Sequence, residues 1–230
     1  MLFNSLSFAI FFPIVFLIYW FVTGKSTKWQ NILLLIASYY FYACWDWRFL
    51  FLLMFSTFLD YFTGLKISNA KSIWSSKFWL WLSIIVNVGF LAVFKYYNFF
   101  IESFTTAFSF LGTPFHAGTL YIILPVGISF YTFQSLSYGI DVYRRKLEPT
   151  RDPIAFLAFV SFFPQLVAGP IERATHLLPQ FQKARVFDYS KAVDGLKQIL
   201  WGLFKKMVIA DNFGQFADLI FSQSESYHGS

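Results

Sequence analysis

Few residues in this chain are equipped for chemistry. Three histidines occur, His116, His176 and His228. His116 falls in a stretch holding Gly and Pro, His176 follows an apolar run broken by prolines, and His228 lies two residues from the last one. A metal centre would need several such side chains at ligand spacing, and no HxxxH-type pair exists. No metal is expected, and each histidine reads as a surface or interfacial residue, with His176 placed where a substrate could touch it. Cys44 is the one cysteine, which excludes an intrachain disulfide and a cysteine-based metal site. An acyl-carrying thiol would want a base beside it, and Cys44 has aromatic neighbours instead. Serine-hydrolase elbows, phosphate loops and nucleotide fingerprints are absent.

Two features are harder to set aside. Asp60, in TFLDYFTGLK, puts a carboxyl inside an apolar run. A charge there costs several kcal/mol unless it is paired; near the end of its helix, water or Lys66 could reach it. The second feature is FFPQLVAGPIERATHLLPQF, residues 162–181. It starts as a membrane segment should, yet carries Pro164, Gln165, Gly169, Pro170 and Pro179, and then the acid–base pair Glu172 and Arg173.

The elements that must position these residues follow from composition. Of 230 residues, 57% are hydrophobic and only 13% charged, with a mean hydropathy of +0.55. Soluble domains are about a quarter charged, so one core cannot hide this much apolar surface. An all-α, polytopic integral membrane protein is expected. The net charge of +6 reads as topology and contact with anionic lipid, not as nucleic-acid binding. Residues 1–24 carry no charge, and the first cation, Lys25, comes after the apolar stretch. A signal peptide has the reverse order, so an uncleaved spanning helix is expected here.

A span needs about 20 mostly apolar residues, fewer where flanking lysines reach the interface. About five segments qualify: 2–23, 29–45, 49–65, 78–94 and 118–140. Charge alternates between the loops that join them. Lys25 and Lys28 mark the first, and Lys66, Lys71 and Lys77 the third. The second balances Asp46 against Arg48, and the fourth, 95–117, balances Lys95 against Glu102. The positive-inside rule then puts loops one and three in the cytoplasm and the N-terminus outside. Arg144, Arg145, Lys146 and Arg151 after the fifth span agree with that orientation.

Residues 153–171 are uncharged but broken, with Pro164 near the middle and Gly169-Pro170 at the end. Segment 172–211 holds seven Lys or Arg and four Asp or Glu, so both flanks look cytoplasmic. A re-entrant broken helix is expected, because non-helical backbone at membrane depth survives only where protein or a wet cavity receives it; an ordinary kinked span is the alternative. In 190–208, Leu196, Ile199, Leu200, Leu203, Phe204, Met207 and Val208 recur at helical spacing opposite Lys191, Asp194, Gln198 and Lys205. That is an amphipathic helix, suited to the cytoplasmic headgroups or to a further part of the protein.

Four stretches resemble the membrane-bound O-acyltransferase (MBOAT) family in its alginate O-acetyltransferase-like branch: MLFNSLSFAIFFPIVFLIYW at the start, LPVGISFYTFQSLSYGIDVYRRK at 124–146, FFPQLVAGPIERATHLLPQ at 162–180 and GLFKKMVIAD at 202–211. The resemblance implies a bundle of helices around a channel across a bacterial inner membrane. An acyl thioester, acetyl-CoA or an acyl carrier, arrives from the cytoplasm as co-substrate, with no bound cofactor. The acceptor is a polysaccharide hydroxyl outside, reached with the help of a surface-side acetyltransferase.

By the same resemblance Gln134, Pro164, Gln165, Gly169 and Pro170 shape the channel, while Asp60 and Asp211 act as support. The family's two histidines sit in tryptophan–histidine motifs, and none of His116, His176 or His228 occupies one. Residues 1–230 thus read as the N-terminal part of a single membrane domain, with no catalytic residue in this chain and no activity alone. Two alternatives stay open: a non-catalytic transport or scaffold component, and the same family with D-alanyl or lipid acyl cargo.

Overall fold

The structure, a computed structural model, describes residues 1–24, 26–110, 124–166, 169–170 and 172–222. His116, His228, Lys25 and positions 118–123 of the fifth expected span lie outside the described residues. Among those described, every regular element is helical, as the composition required.

Helix α1 (Leu6–Leu17) is capped by Ser5, whose hydroxyl accepts the Phe8 N–H at 3.2 Å, and it runs on through a wide π-type turn, Ile18–Val22. Helix α2 (Thr27–Asn69) spans 43 residues and contains one non-helical residue, Asp46, at φ −156° and ψ 112°. The Asp46 carboxylate accepts the Arg48 N–H at 3.0 Å, the arrangement of a helix N-cap. Asp46 thereby ends one leg of α2 and starts another. This merges the expected spans 29–45 and 49–65 into one element with an internal cap.

The two legs fold back on each other, as helix α5 (Ile128–Tyr143) shows by touching both. Tyr131 of α5 faces Tyr42 on the first leg, and Tyr138 packs against Gly64 on the second. A straight α2 would hold Tyr42 and Gly64 roughly 33 Å apart, whereas Tyr131 and Tyr138 are about 10 Å apart along α5. Both ends of α2 therefore come to the same end of the bundle. Helix α3 (Ile73–Leu91) runs antiparallel to the second leg, with Trp79 against Phe62 and Phe94 against Phe49.

After a π-type turn at Ala92–Tyr96 comes α4 (Tyr97–Phe110). Residues 97–110 of the expected loop 95–117 are helical instead, because no Gly or Pro interrupts that stretch. Among the described residues, Thr27–Asn69, with its internal break, and Ile73–Thr106 are long and apolar enough to cross a membrane.

Three short helices follow: α6 (Pro153–Val160), α7 (Phe163–Leu166) and α8 (Ala174–Gln182). They sit against α2 and α5 and form the core with them. In α6, Ala155, Phe156, Ala158, Phe159 and Val160 are buried, a broad face turned into the core, while Ile154 and Leu157 on the other side are partly covered. The outer faces of α1 and α2 instead expose large apolar side chains such as Leu6, Ile10, Phe51 and Phe58, as a lipid-facing surface does.

The amphipathic segment begins as α9 (Tyr189–Phe204) and continues through a π-type stretch, Lys205–Ala210, into α10 (Asp211–Ser222). It is longer than the expected 190–208, because Asp211 and Asn212 prolong the helix instead of stopping it. Leu196, Ile199, Leu200 and Phe204 remain exposed along it.

Candidate functional site: a broken helix braced from both sides

The break in the re-entrant candidate lies upstream of the proline that seemed to cause it. Asp152 starts α6 by accepting the N–H groups of Ile154 and Ala155, with Pro153 at the first turn, where its missing N–H costs nothing. The helix stops at Ser161 and restarts at Phe163. Pro164 falls in the first turn of α7, again where no N–H is required. Gln165 and Leu166 both donate to the Phe162 carbonyl. Pro164 therefore starts the second helix rather than breaking the first.

A continuous helix would bond the Phe163 N–H to the Phe159 carbonyl. Here that bond is replaced by two side chains from two other helices. Ser38 of α2 accepts the Phe163 N–H at 3.1 Å, and Gln134 of α5 donates to the Phe159 carbonyl at 3.1 Å. Both braces are buried, Ser38 fully and Gln134 at 3% exposure. Buried backbone groups must find partners, and at membrane depth water is not available to provide them. Ser161 keeps its own N–H and hydroxyl on the Leu157 carbonyl.

Downstream, Gln165 ties α7 to Gly169 and Pro170. Its side-chain amide donates to the Pro170 carbonyl at 2.9 Å, and its own carbonyl accepts the Gly169 N–H at 3.1 Å. A Cβ on Gly169 would sit 2.7 Å from the Gln165 Cα, so only glycine allows that approach. The start of α5 meets the same place. Gly127, at φ 75°, would bring a Cβ to 2.4 Å from the Leu166 carbonyl oxygen. Gln134, Pro164, Gln165, Gly169 and Pro170 are thus brought together as one braced structure. Gln134 and Gln165 act there on backbone groups.

Both flanks of this element are tied to the same end of the bundle. On entry, the Tyr61 hydroxyl donates to the Arg151 carbonyl at 2.8 Å, near the end of α2. Beyond α8's last turn, Asn31, near the start of α2, donates to the Phe181 carbonyl at 2.8 Å. Arg185 adds to this tie by donating to the Tyr19 hydroxyl, the Asn31 side-chain oxygen and the Gln180 carbonyl. Between these ties the chain reaches Ser38 and a ring cluster of Phe163 with Phe8, Phe11 and Phe41. A cleft of about 400 Å³ opens at that same end, between the α2–α3 turn and the end of α5, with Lys71, Ser72, Ser76, Arg145 and Glu148 among its lining.

Asp60 is 2% exposed and lies beside the brace. Its Oδ1 accepts from Ser83 at 2.6 Å and from Asn87 at 2.8 Å, both on α3, and Ser56 donates to the other end of Asn87. Lys66, the cation within sequence reach, is turned over the rings of Phe62 and Trp79 instead. Asp211 pairs with Lys206 on the exposed C-terminal helix, remote from the brace. His176 is exposed and meets Glu172 at 3.2 Å, and Cys44 is exposed. Ser38, Asn31, Ser83, Asn87 and Arg185 were not singled out in the sequence. A polar residue inside an apolar helix was the signal that could have found the first four.

An apolar helical bundle with a broken segment buried at its centre, its backbone satisfied by polar side chains, is the architecture of a helical membrane protein. The kinship is narrower. Over 96% of its length the chain is 40% identical to the "Probable alginate O-acetylase AlgI" of Pseudomonas syringae pv. tomato and to that of Pseudomonas aeruginosa. Over 98% of its length it is 35% identical to the "Peptidoglycan O-acetyltransferase" of Helicobacter pylori. The chain is a homologue of these named O-acetyltransferases, in keeping with the resemblance read from its motifs. It spans 42% of the length of the two Pseudomonas relatives and 47% of the Helicobacter one. No family model matches the chain. No solved structure matches it.

Proposed function

We propose that this chain is the N-terminal part of a multi-pass bacterial inner-membrane O-acetyltransferase, within which acetyl groups pass from a cytoplasmic thioester to hydroxyls of a polysaccharide outside. The observation that carries the reading is 40% identity along nearly the whole chain to relatives named for alginate O-acetylation. In this reading the N-terminus is outside, α1, both legs of α2, α3 and α5 cross the bilayer, and α6–α8 enter and leave by the cytoplasmic face. The ties of Arg151 and Phe181 to the two ends of α2, which meet at one end of the bundle, support that path, as does the alternation of loop charge.

The brace then serves as a fixed wall of the route between donor and acceptor, which requires shape more than chemistry. Gln134, Gln165, Gly169 and Pro170 hold it, and Asp60 supports α5 behind it. By the family resemblance, proton abstraction from the acceptor hydroxyl falls to a histidine of the family's tryptophan–histidine motifs, since imidazole titrates near working pH. The cationic cleft holding Lys71 and Arg145 faces the donor side.

The Helicobacter relative's name favours a second acceptor, peptidoglycan, within the same reaction class. The test is deletion of the full coding sequence, followed by chemical measurement of ester-linked acetate on exopolysaccharide and on peptidoglycan separately. Loss from one fraction, restored by the intact gene and not by a version with Gly169→Val, identifies the acceptor. Unchanged acetate in both fractions overturns the reading and leaves a transport or scaffold role.

A further inference from the structure

The cleft of about 400 Å³ at the end of the bundle holds charges that the fold leaves unused. Lys71 and Ser72 reach it from the α2–α3 turn, and Arg145 and Glu148 from the chain that leaves α5. Among the described residues neither cation has an ion pair, a side-chain hydrogen bond or a ring beneath it, and Glu148 is equally unpaired. Nearby lysines are occupied: Lys66 lies over Phe62 and Trp79, and Lys77 over Trp74. The Ser72 hydroxyl accepts the Trp74 N–H at 3.2 Å, which leaves its own proton to donate.

Arg145 stands in the cleft against its backbone preference. Helix α5 ends in a Schellman turn, in which the Arg145 N–H donates to the Val142 carbonyl and the Lys146 N–H to the Asp141 carbonyl. The turn needs a left-handed residue after the helix, and glycine is the usual one. Arg145 takes that place at φ 57°, the one non-glycine residue with positive φ among the described residues. The turn gains nothing from a side chain there. The cleft gains a guanidinium.

The surroundings mark the level of the cleft. The adjoining faces of α2 and α3 expose Phe62, Trp74 and Phe78, and rings with lysines over them are the composition of a membrane–water boundary. Ile67, Val142 and Leu147 give the cleft an apolar wall. A bare phosphate would suit the two cations but not Glu148. A phosphate ester with an ammonium group a few bonds away suits all three.

We propose that this cleft binds the headgroup of an amine-bearing zwitterionic phospholipid, with its phosphate on Lys71, Arg145 and the Ser72 hydroxyl and its ammonium on Glu148. A primary ammonium donates N–H groups to the carboxylate, whereas a quaternary choline has none to donate, so ethanolamine is preferred. The bound lipid ties the α2–α3 turn to the end of α5. The inference stands on the cleft and its level in the membrane, and is independent of acetyl transfer.

Thermal unfolding of the delipidated, detergent-solubilised chain, titrated separately with phosphatidylethanolamine, phosphatidylcholine, phosphatidylglycerol and coenzyme A, tests it. Phosphatidylethanolamine is expected to raise the melting temperature at the lowest concentration. Lys71→Ala should raise its half-saturating concentration about fivefold, and Glu148→Gln should abolish the preference over choline. Arg145→Gly relieves the turn, so it should melt no lower than the parent without lipid, yet lose most of the lipid response. That variant keeps the test decisive where the others fail to fold. An equal response to all three lipids, or a response unchanged in Arg145→Gly, overturns the proposal. Stabilisation by coenzyme A and by no lipid also overturns it, and makes the cleft a donor site instead.

Discussion

Gln134→Leu removes one brace of the broken helix with little change of volume. The Phe159 carbonyl, fully buried, then loses its donor at 3.1 Å. A buried polar group left without a partner costs about 1–3 kcal/mol. For a chain of this size each kcal/mol moves the melting temperature by about 2–4 °C, so a fall of roughly 2–12 °C is expected. Ser38→Ala strands the Phe163 N–H in the same way and should cost a similar amount. Pro164→Ala, by contrast, should change stability by less than about 1 kcal/mol, because the proline sits where a helix needs no N–H.

The coupling between these sites is the sharper test. With both braces gone, the Phe163 N–H and Phe159 carbonyl could bond each other as in an unbroken helix, but the Pro164 ring clashes with the carbonyl four residues back. In the parent background the two losses should therefore nearly add. In a Pro164→Ala background the double variant should recover about 1 kcal/mol or more relative to the sum. The assay is thermal unfolding of the detergent-solubilised chain followed by size exclusion. If Gln134→Leu melts with the parent, the carbonyl has another donor and the cross-braced break is refuted. If the Pro164→Ala background shows no recovery, the geometric account of the break fails.

Three further expectations follow from the same contacts. Gly169→Ala forces its Cβ against the Gln165 backbone at 2.7 Å, a strain of about 1–3 kcal/mol; acetate content measured with the intact gene should drop, and an unchanged level would show that the return loop is free to shift. Arg185→Lys keeps the charge but cannot span Tyr19, Asn31 and Gln180 together, so limited proteolysis should cut 183–188 faster than in the parent. At the apex of α2, the hydrogen bond from the Arg48 side chain holds the Asp46 carboxyl below the usual carboxylate range. A depressed carboxyl stabilises the fold above that range and loses its effect as pH falls through the folded value. The protection of the Arg48 amide, its exchange rate taken relative to the intrinsic rate at each pH, should therefore fall only in acid, and a loss of protection beginning near neutrality would contradict the cap.

The broken segment was legible in the sequence, though its mechanism was misplaced. Pro164, Gly169 and Pro170 correctly marked a helix that could not be continuous, because proline and glycine act locally on the backbone wherever they occur. The position of the break was not legible. It is set by where Ser38 and Gln134 offer partners, and these lie 125 and 25 residues away from the groups they satisfy. Asp60 shows the same division. Its oddity was evident from an acid in an apolar run, but the choice of Ser83 and Asn87 over Lys66 depended on which face of α3 packs against α2.

By itself, then, the sequence determined the helical class, the apolar exterior, the alternating loop charge and the kinship to O-acetyltransferases. Each of these is a property of residue type and order, read by a solvent that rewards apolar surface and forbids open backbone. Only the tertiary structure decided which polar side chain meets which orphaned backbone group. Hydrogen bonds reach about 3 Å, and the helices that bring their partners within that distance are far apart along the chain.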